Sequence, residues 1–257
     1  MKTRMLEPGQ RRDRIVDLLR ERERVSVEFL AAEFAASAET VRRDLAVLAR
    51  SGVIRKFHGG ASLPEPDGEG AFHVRLSEHP SEKRAIARCA AGLFGAGDTL
   101  FVDTGTTTVA FAEELARVGG VTVVTNSATI AQLVTRGGGR AFLVGGEYRE
   151  EAAQTLGALA VEQIGRFHAA HAVLTVGAIE PAGVMDYDLG ETELARAMIA
   201  QAQTVTVVAD ASKLGRRGLF LVCELARIAR LVIDRAPEGA IAVALADAGV
   251  EVIVAAS

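Results

Sequence analysis

The spacing of apolar side chains changes near residue 63 of this 257-residue chain. Before that point, apolar residues recur every three or four positions, which predicts helices that each bury one face. Three groups have this spacing: Ile15, Leu18 and Leu19; Phe29, Leu30 and Phe34; and Val41, Leu45 and Leu48. We therefore predict three helices, the first over residues 9–23 and the third capped by Ser37 and ending at Gly52, followed by a β-hairpin at 53–61.

After residue 80, short apolar runs alternate with amphipathic stretches. The apolar runs predict strands, and they lie at 99–102, 121–125, 141–144, 172–176, 205–209, 231–233 and 250–254. The amphipathic stretches predict helices, and they lie at 109–117, 127–135, 155–164, 191–203 and 238–248. Nearly continuous apolar strands that alternate with helices are typical of a parallel sheet covered on both faces. The fold class predicted here is therefore an α/β domain with a mainly parallel sheet.

Residues 62–80 separate the two patterns and differ from both in composition. They hold three prolines, two glycines and mixed charges, which is typical of a linker. A helix is predicted to begin again at Ser81. We therefore divide the chain into a first domain, 1–63, a linker, 64–80, and a larger second domain, 81–257.

Charge is distributed unevenly between these parts. Residues 1–63 hold 13 Lys and Arg against 9 Asp and Glu, whereas the remainder holds 16 against 24. A basic segment on an acidic body favours a polyanionic partner for the first domain. The difference is small, so it supports this interpretation without deciding it.

Several observations predict a cytoplasmic protein without membrane contact. The N-terminus is charged and lacks the apolar run of a signal peptide. The longest stretch without charge, residues 118–135, is too polar to span a bilayer. Cys89 and Cys223 lie far apart in apolar runs, which predicts buried free thiols in a reducing compartment. No sequence pattern predicts a metal site, a cofactor site or a catalytic nucleophile.

The third predicted helix carries hydroxyl and guanidinium groups on the side away from its apolar face. These groups belong to Ser37, Thr40, Arg42 and Arg43. In helix-turn-helix proteins this end of the helix enters the major groove, where arginine contacts guanine or phosphate and hydroxyls contact phosphate or base edges. Taken alone, the pattern is also compatible with a helical bundle whose arginines are solvated.

Two further features bear on this interpretation. The predicted hairpin carries Arg55, Lys56 and His58, which are suited to contact the DNA backbone or a minor groove. Asp44 lies within the third helix, where a carboxylate would repel phosphate. We therefore expect Asp44 to pair with a nearby arginine and to have a structural role.

Polar loops follow several predicted strands of the second domain. Residues 103–108, DTGTTT, come between a strand and a helix, and such a loop presents amides and hydroxyls at the positive end of the helix, where phosphate binds. Asn126, Arg149 and Lys213 follow other strands. Because the carboxyl ends of parallel strands share one edge, we expect these groups to form a site for a sugar phosphate. A capped turn without ligand is the alternative for 103–108 alone.

Several motifs together resemble those of the DeoR family of bacterial transcriptional regulators. These motifs are Arg11, Ile15 and Leu19; Ser37-x-x-Thr40-Val41-Arg42-Arg43-Asp44-Leu45; Gly52-Val53-Ile54-Arg55; and His58-Gly59-Gly60-Ala61. The resemblance implies a winged helix-turn-helix with Ser37, Thr40, Arg42 and Arg43 on its recognition helix. It also implies a second domain with the fold of ribose-5-phosphate isomerases and glucosamine-6-phosphate deaminases, which binds phosphorylated sugars. One departure is Ala36, where the family often has a larger apolar residue.

The resemblance also implies a set of effector-binding candidates. These are Asp103, Gly105, Thr106, Thr107, Thr125, Asn126, Arg149 and Lys213. Glu191 matches a recurring glutamate of the family. Residues 184–188, VMDYD, depart from the family pattern, which leaves open the choice of ligand and the roles of Asp186, Asp188 and Glu191.

Three functions remain as alternatives on sequence grounds. The first is a ligand-controlled regulator, expected to be a repressor of a carbohydrate operon, that binds double-stranded operator DNA as a homo-oligomer, either dimer or tetramer. The second is a sugar-phosphate isomerase or deaminase with an appended DNA-binding domain. The third is a DNA-binding protein whose second domain serves only assembly. The intact DNA-binding motif favours the first.

Overall fold

The computed structural model describes residues 7–22, 24–51, 53–57, 59–62 and 70–256. The chain divides into two compact units, Met1–Arg75 and Leu76–Ser257. Each unit has its own core, and we describe each by itself. The domain limits drawn from the sequence stay a prediction, and within the predicted linker the structure has a short helix at Phe72–Ser77.

The first unit is a winged helix-turn-helix. Its elements are α1 (Pro8–Arg22), β1 (Arg24–Ser26), α2 (Val27–Glu33), α3 (Ala38–Arg50), β2 (Arg55–Phe57) and β3 (Gly60–Ser62). The three helices pack the predicted apolar positions into one core, in which Ile15, Leu19, Leu30, Val41 and Leu45 are fully buried. The strands form a small antiparallel sheet of order β1-β3-β2. The predicted helices and hairpin are therefore confirmed.

Serine side chains mark the starts of the second and third helices. The Oγ atom of Ser26 accepts a hydrogen bond from the amide of Phe29, and that of Ser37 accepts one from the amide of Thr40, each at 3.1 Å. A serine cap satisfies an amide that would otherwise lack a partner at the helix end. Between the helices Ala35 has φ +48°, a left-handed conformation that permits the sharp turn.

The second unit alternates helices and strands. Its helices are α4 (Phe72–Ser77), α5 (Pro80–Ala91), α6 (Thr106–Val118), α7 (Ala128–Arg136), α8 (Ala158–Ile164), α9 (Leu189–Gln201) and α10 (Gly239–Asp247). Its strands are β4 (Thr99–Val102), β5 (Thr122–Thr125), β6 (Arg140–Leu143), β7 (Glu147–Arg149), β8 (Gln154–Leu156), β9 (Ala169–Leu174), β10 (Ala178–Glu180), β11 (Gly183–Asp186), β12 (Ala202–Val208), β13 (Phe220–Cys223), β14 (Arg230–Ile233) and β15 (Glu251–Val254). In α4, residues 72–75 belong to the first compact unit, and only residues 76 and 77 belong to the second.

The central sheet has seven strands in the order β15-β14-β12-β9-β4-β5-β6, and every neighbouring pair is parallel. These are the seven strands predicted from the apolar runs, so the parallel α/β prediction is confirmed. From β4 the chain proceeds to one edge through β5 and β6. It then returns to β9 and proceeds to the other edge. The direction of winding thus reverses between β4 and β9, the point at which sheets of this kind bind ligands.

Two apolar cores cover the faces of this sheet. One contains Phe101, Leu174 and Met198, and the other contains Ile86, Leu100 and Phe111. Because helices cover both faces, a ligand can reach this sheet only at the loops along its edges, and in sheets of this kind ligands bind at the carboxyl edge.

Some parts of the second unit differ from the sequence prediction. The hairpin β7–β8 and the antiparallel sheet β10-β11-β13 were not predicted. The helix predicted over 155–164 is wrong at its start, because Gln154–Leu156 form a strand and the helix begins at Ala158. Gly157, at φ +91°, has a left-handed conformation that separates strand from helix. Both cysteines are free, as predicted, but only half-buried.

Candidate functional site

The exposed side of α3 carries the groups predicted to contact DNA. Ser37 is the N-cap, and its Oγ atom lies 2.9 Å from the hydroxyl of Thr40. Arg42 and Arg43 are 58% and 80% exposed, whereas Val41 and Leu45 are buried against the other helices. The structure thus brings all four predicted side chains to the N-terminal half of one helix, with both guanidinium groups in solvent.

Glu39 lies between these two arginines. Its carboxylate is 3.9 Å from Arg42 and 3.4 Å from Arg43, and all three side chains are largely exposed. Exposed ion pairs contribute little to stability and exchange easily with other partners. The contacts therefore hold the arginines loosely and leave them able to bind phosphate or a base edge.

Asp44 faces the opposite way. Its Oδ2 atom accepts a 2.6 Å hydrogen bond from Nε of Arg11, and the two side chains are 8% and 13% exposed. The expectation that Asp44 pairs with an arginine is confirmed. This ion pair joins α1 to α3 and so helps to fix the orientation of α3.

The wing is the hairpin formed by β2 and β3, and only part of it lies within the described residues. Lys56 is exposed on β2, and the backbone of Arg55 begins the same strand. His58, the third predicted wing contact, lies outside the described residues. The amide of Val27 donates to the carbonyl of Gly59 at 2.8 Å, which ties the wing to the start of α2.

Asp103 lies at the point where the winding of the large sheet reverses. It follows β4, and both of its carboxylate oxygens accept a hydrogen bond from the amide of Thr175, which follows β9, at 3.1 Å. The neighbouring Gly105 fits closely against Thr175, because a Cβ atom there would lie 2.0 Å from the Cγ2 atom of Thr175. The two strand ends are therefore held together, and a larger residue at 105 would push them apart.

Helix α6 begins at this junction without a side-chain cap. Its N-cap is Gly105, which has no side chain that could accept a hydrogen bond from the first amides of the helix. Thr106 and Thr107 are buried in the first turn. Such amides are suited to bind an anion, and the helix dipole favours negative charge at the same place. The phosphate position at this helix start stays a prediction.

A hydrogen-bonded chain of polar side chains continues from this loop. The hydroxyl of Thr104 donates to Oδ1 of Asn126 at 3.0 Å, and Nδ2 of Asn126 donates to Oε1 of Gln154 at 3.3 Å. Nε2 of Gln154 donates in turn to Glu191 at 2.6 Å. Loops after β4 and β5, strand β8 and helix α9 thus meet at the carboxyl edge of the sheet, the place where such sheets bind ligands, and we call this region the sheet-edge crevice.

Thr125, another predicted ligand residue, is fully buried at the end of β5. Its hydroxyl oxygen accepts a hydrogen bond from the amide of Ser127 at 3.0 Å. The structure therefore places Thr125 beneath the crevice, where it shapes the turn that presents Asn126.

Arg149 reaches the rim of the crevice from β7. Its guanidinium donates to Asp188 at 2.7 Å, and the other oxygen of Asp188 caps α9 by accepting from the amide of Glu191 at 3.0 Å. Burial tends to raise the pKa of Asp188, but the hydrogen bonds from Arg149 and the helix amides outweigh it and lower that pKa. Asp188 therefore stays ionised and orients Arg149.

Lys213 is buried in a short 3-10 helix, Ala211–Lys213, after β12. Burial tends to raise the pKa of the adjacent Asp210, but hydrogen bonds from Ser212 and the charge of Lys213 lower it. The amide of Gly215 donates to Ile179 of β10 at 3.0 Å, which connects this loop to the small antiparallel sheet. Lys213 thus lies two strands from Asp103, along the same edge of the large sheet.

Family models match both units. The DeoR-like helix-turn-helix domain matches residues 11–67, and the DeoR C terminal sensor domain matches residues 78–235. The chain belongs to the DeoR family. The resemblance stated from the motifs is confirmed.

Relatives in the DeoR family match along nearly the whole chain. The glycerol-3-phosphate regulon repressor of Escherichia coli is 32% identical over 240 residues, 93% of this chain and 95% of the relative. The HTH-type transcriptional repressor GlcR of Bacillus subtilis is 33% identical over 242 residues, 93% of each. Among solved structures, ribose 5-phosphate isomerase A from Methanocaldococcus jannaschii has a TM-score of 0.41 at 16% identity, over 55% of this chain and 56% of that chain. In the part of this DeoR-family chain that the structure describes, no helix is long and apolar enough to cross a bilayer.

Two partners of the predicted residues in this DeoR-family sensor unit, one side chain and one backbone amide, were not predicted from the sequence, and three other side chains had no predicted role. Gln154 and Thr175 were not predicted, although both bind predicted residues. The acidic side chains Asp186, Asp188 and Glu191 were noted without a role. The spacing between Asp188 and Glu191 is that of a helix N-cap and its third residue, which indicates the cap. No local pattern marks Gln154, because its position depends on the hairpin β7–β8.

The charge of Asp103 gives a pH-dependent prediction. Burial raises the pKa of Asp103 well above its usual range, and the carboxylates of Asp186 and Glu191 raise it further, against the hydrogen bond from Thr175. A carboxyl group whose pKa is raised by folding stabilises the fold most below its unfolded pKa of about 3.9, and this contribution is lost as pH rises through the folded pKa. We therefore expect Asp103→Asn to raise the melting temperature at neutral pH.

The measurement is a thermal melt of the full chain between pH 4 and pH 8. At neutral pH we expect the melting temperature of Asp103→Asn to exceed that of the wild type by a few degrees, since about 1 kcal/mol shifts the melting temperature by roughly 2–4 °C in a protein of this size. This difference in melting temperature is expected to shrink towards acid pH. Asp247→Asn removes a carboxylate from an exposed position and serves as the control. A variant that melts below the wild type at neutral pH would show that the charged form of Asp103 stabilises the fold.

Proposed function

We propose that this protein is a transcriptional repressor that binds operator DNA through α3 and the wing and is controlled by a phosphorylated sugar or related polyol phosphate in the sheet-edge crevice. The observation that carries the proposal is the exposed N-terminal half of α3, where Ser37, Thr40, Arg42 and Arg43 lie together in a winged helix-turn-helix. The names of the relatives support repression of a sugar-related regulon.

The first unit supplies the DNA contacts in this proposal. The first turn of α3 enters the major groove, where Arg42 and Arg43 bind phosphate or guanine and the hydroxyl of Thr40 binds phosphate or a base edge. Lys56, with Arg55 and His58, contacts the backbone beside it. Two half-sites require two copies of α3, so the acting form is at least a dimer.

The second unit supplies the effector contacts. The amides of Thr106 and Thr107 bind the phosphate, and Lys213 and Arg149 add positive charge to the same edge of the sheet. Asp103, Asn126 and Glu191 offer oxygens and an amide to sugar hydroxyls. In this scheme residues 1–63 bind DNA, residues 64–80 link the two domains, and residues 81–257 bind the effector and form the oligomer. The protein acts in the cytoplasm.

Control requires that the effector bind one state of the protein better than another, because a ligand with equal affinity for both shifts nothing. In this proposal the element that differs between the two states is the Arg149–Asp188 ion pair, which is half-exposed and connects β7 to the start of α9. A phosphate that competes for Arg149 would release Asp188 and move these elements relative to each other.

The alternative function is an isomerase or deaminase with an appended DNA-binding domain. The relatives are named as repressors, which favours a protein without enzymatic activity. Incubation of the purified full chain with ribose 5-phosphate and with glucosamine 6-phosphate separates the two. Turnover above about 1 per second would support an enzyme, whereas binding without conversion would support the proposal.

Replacement of Lys213 tests the effector site. We expect Lys213→Ala to need at least about tenfold more effector for half-release of DNA, because loss of one charge-assisted hydrogen bond removes about 1.5–3 kcal/mol. The effector is first identified by thermal shift of the full chain against glycerol 3-phosphate and a panel of phosphorylated sugars. DNA release is then followed by fluorescence anisotropy.

The matched control is Arg227→Ala, which removes an exposed positive charge from the same unit. Both variants are expected to bind DNA as the wild type does when no effector is present. Release of DNA from Lys213→Ala at the wild-type effector concentration would exclude Lys213 from the site.

A further inference from the structure

A charged cavity of the sensor unit has a lining that differs from that of the sheet-edge crevice, although one end of it reaches the same edge of the sheet. It is a groove of about 700 Å³, lined on one side by the outer face of α5 and on the other by the second half of α6, and it ends at the loop after β14. Its polar lining residues are Ser81, Glu82, Arg84, Arg88, Glu114, Arg117, Asp234 and Arg235. We call it the α5–α6 groove. None of the predicted effector residues lines it.

The carboxylates of this groove already have partners. Glu114 pairs with Arg117, Glu82 accepts a 2.9 Å hydrogen bond from Ser81, and Asp234 accepts one of 2.6 Å from the amide of Ala211. In contrast, among the residues that the structure describes, no carboxylate lies within 4.0 Å of Arg84, Arg88 or Arg235. By ion pairs alone, the groove therefore holds three unmatched guanidinium groups against two carboxylates, those of Glu82 and Asp234, which within the described part of the chain are hydrogen-bonded only to neutral donors.

The surrounding charge makes this cluster unusual for the molecule. The chain after residue 63 carries 16 Lys and Arg against 24 Asp and Glu, so the body of the protein is acidic. Mutual repulsion between guanidinium groups has a cost that an anion in the groove would offset. Arginine is also the side chain best suited to bind phosphate with two parallel hydrogen bonds.

The size and spacing of the groove indicate the class of ligand. Its volume lies within the range of about 300–1,000 Å³ that is usual for small-molecule sites. Arg84 and Arg88 are one helical turn apart, about 6 Å along α5, and Arg235 lines the same groove from the loop after β14. A single phosphate group engages one or two of these arginines, whereas linked phosphate groups can engage all three.

We propose that the α5–α6 groove is a second ligand site, which binds a small molecule carrying two or more linked phosphate groups. This site shares no lining residue with the crevice proposed for a sugar monophosphate, although Asp234 at its end accepts a hydrogen bond from the short helix that holds Lys213. Helix α5 packs against α6, whose first turn lines that crevice, so a ligand in the groove contacts the far half of a helix that the effector also contacts. The ligand of the groove therefore adds a second input to the sensor unit.

The experiment is a calorimetric titration of the full chain with inorganic pyrophosphate and, separately, with orthophosphate. We expect pyrophosphate to bind at least about tenfold more tightly, because it forms more charge-assisted hydrogen bonds. The double variant Arg84→Gln/Arg88→Gln is expected to weaken pyrophosphate binding by at least about tenfold. Glutamine is a good helix former, so these exposed changes preserve α5, which circular dichroism checks.

Two controls separate this site from the others. Arg136→Gln/Arg227→Gln removes two exposed arginines elsewhere in the unit and is expected to bind pyrophosphate as the wild type does. Lys213→Ala is expected to keep pyrophosphate binding, whether or not the sheet-edge crevice binds a sugar phosphate. The proposal is overturned by equal affinity for the two anions, by unchanged binding in the Arg84/Arg88 variant, or by loss of binding in Lys213→Ala. A loss of duplex DNA binding in the Arg84/Arg88 variant, without pyrophosphate binding by the wild type, would assign the groove to DNA and also overturn it.

Discussion

Replacement of both Arg42 and Arg43 by alanine is expected to weaken operator binding by about 100-fold or more. Each arginine that contacts a base or phosphate contributes about 1–3 kcal/mol to the binding free energy, and the two contributions are expected to add. Both side chains are exposed, and their contacts with Glu39 are loose, so the fold does not depend on them. The measurement is fluorescence anisotropy with a duplex that the wild-type chain has enriched from a randomised pool.

Arg50→Ala is the matched control for this prediction. Arg50 is exposed on the same helix, but it lies in the last turn, far from the end that enters the groove. We expect its replacement to change affinity by less than about threefold. If the Arg42/Arg43 double variant bound the enriched duplex as tightly as the wild type, α3 would not be the recognition helix.

Removal of the carboxylate of Asp44 is expected to have the largest effect on stability. Asp44→Ala removes the ion-pair partner of Arg11 at a position where the two side chains are 13% and 8% exposed, and loss of one partner of a buried ion pair costs about 3–5 kcal/mol. In a unit of this size, that corresponds to a fall of roughly 10 °C or more in its melting temperature. Calorimetry of the full chain measures the transition of the first unit directly.

The controls for Asp44 separate the ion pair from other effects. Glu39→Ala removes an exposed carboxylate from the same helix and is expected to change stability by about 0.5 kcal/mol or less. The double change Arg11→Met/Asp44→Leu removes both charges and is expected to recover most of the loss, since a buried pair is often replaceable by apolar side chains. A fall of under about 1 kcal/mol in Asp44→Ala would show that the pair contributes little.

The elements that could be predicted from sequence are those with a local physical signal. Helix α3 follows from the apolar spacing of Val41, Leu45 and Leu48 and from the serine cap, Ser37. The seven parallel strands follow from short runs that are apolar on both faces. In the antiparallel sheet β10-β11-β13, strands β10 and β11 have only three or four residues and each ends in a carboxylate residue, so they gave no such signal. Strand β13 is apolar but has only four residues, and it was missed as well.

The sheet-edge crevice could be predicted only in part. Asp103 and Asn126 directly follow predicted strands, so the topology alone brings them to one edge. The partners of these residues are distant in sequence: Thr175 lies 72 residues from Asp103, and Gln154 lies 28 from Asn126. Pairings over such distances depend on the path of the hairpin β7–β8 and on the reversal of winding, neither of which has a local pattern.

The most direct test of the account is the binding of the full chain to duplex DNA with and without its effector. We expect the wild-type chain to enrich one duplex sequence from a randomised pool. Its affinity for that duplex is expected to fall steeply with salt, because contacts with phosphate depend on ionic strength. One phosphorylated sugar from the thermal-shift panel is expected to lower this affinity at least about tenfold. Failure of the wild-type chain to retain any duplex, even at low ionic strength, would contradict the account.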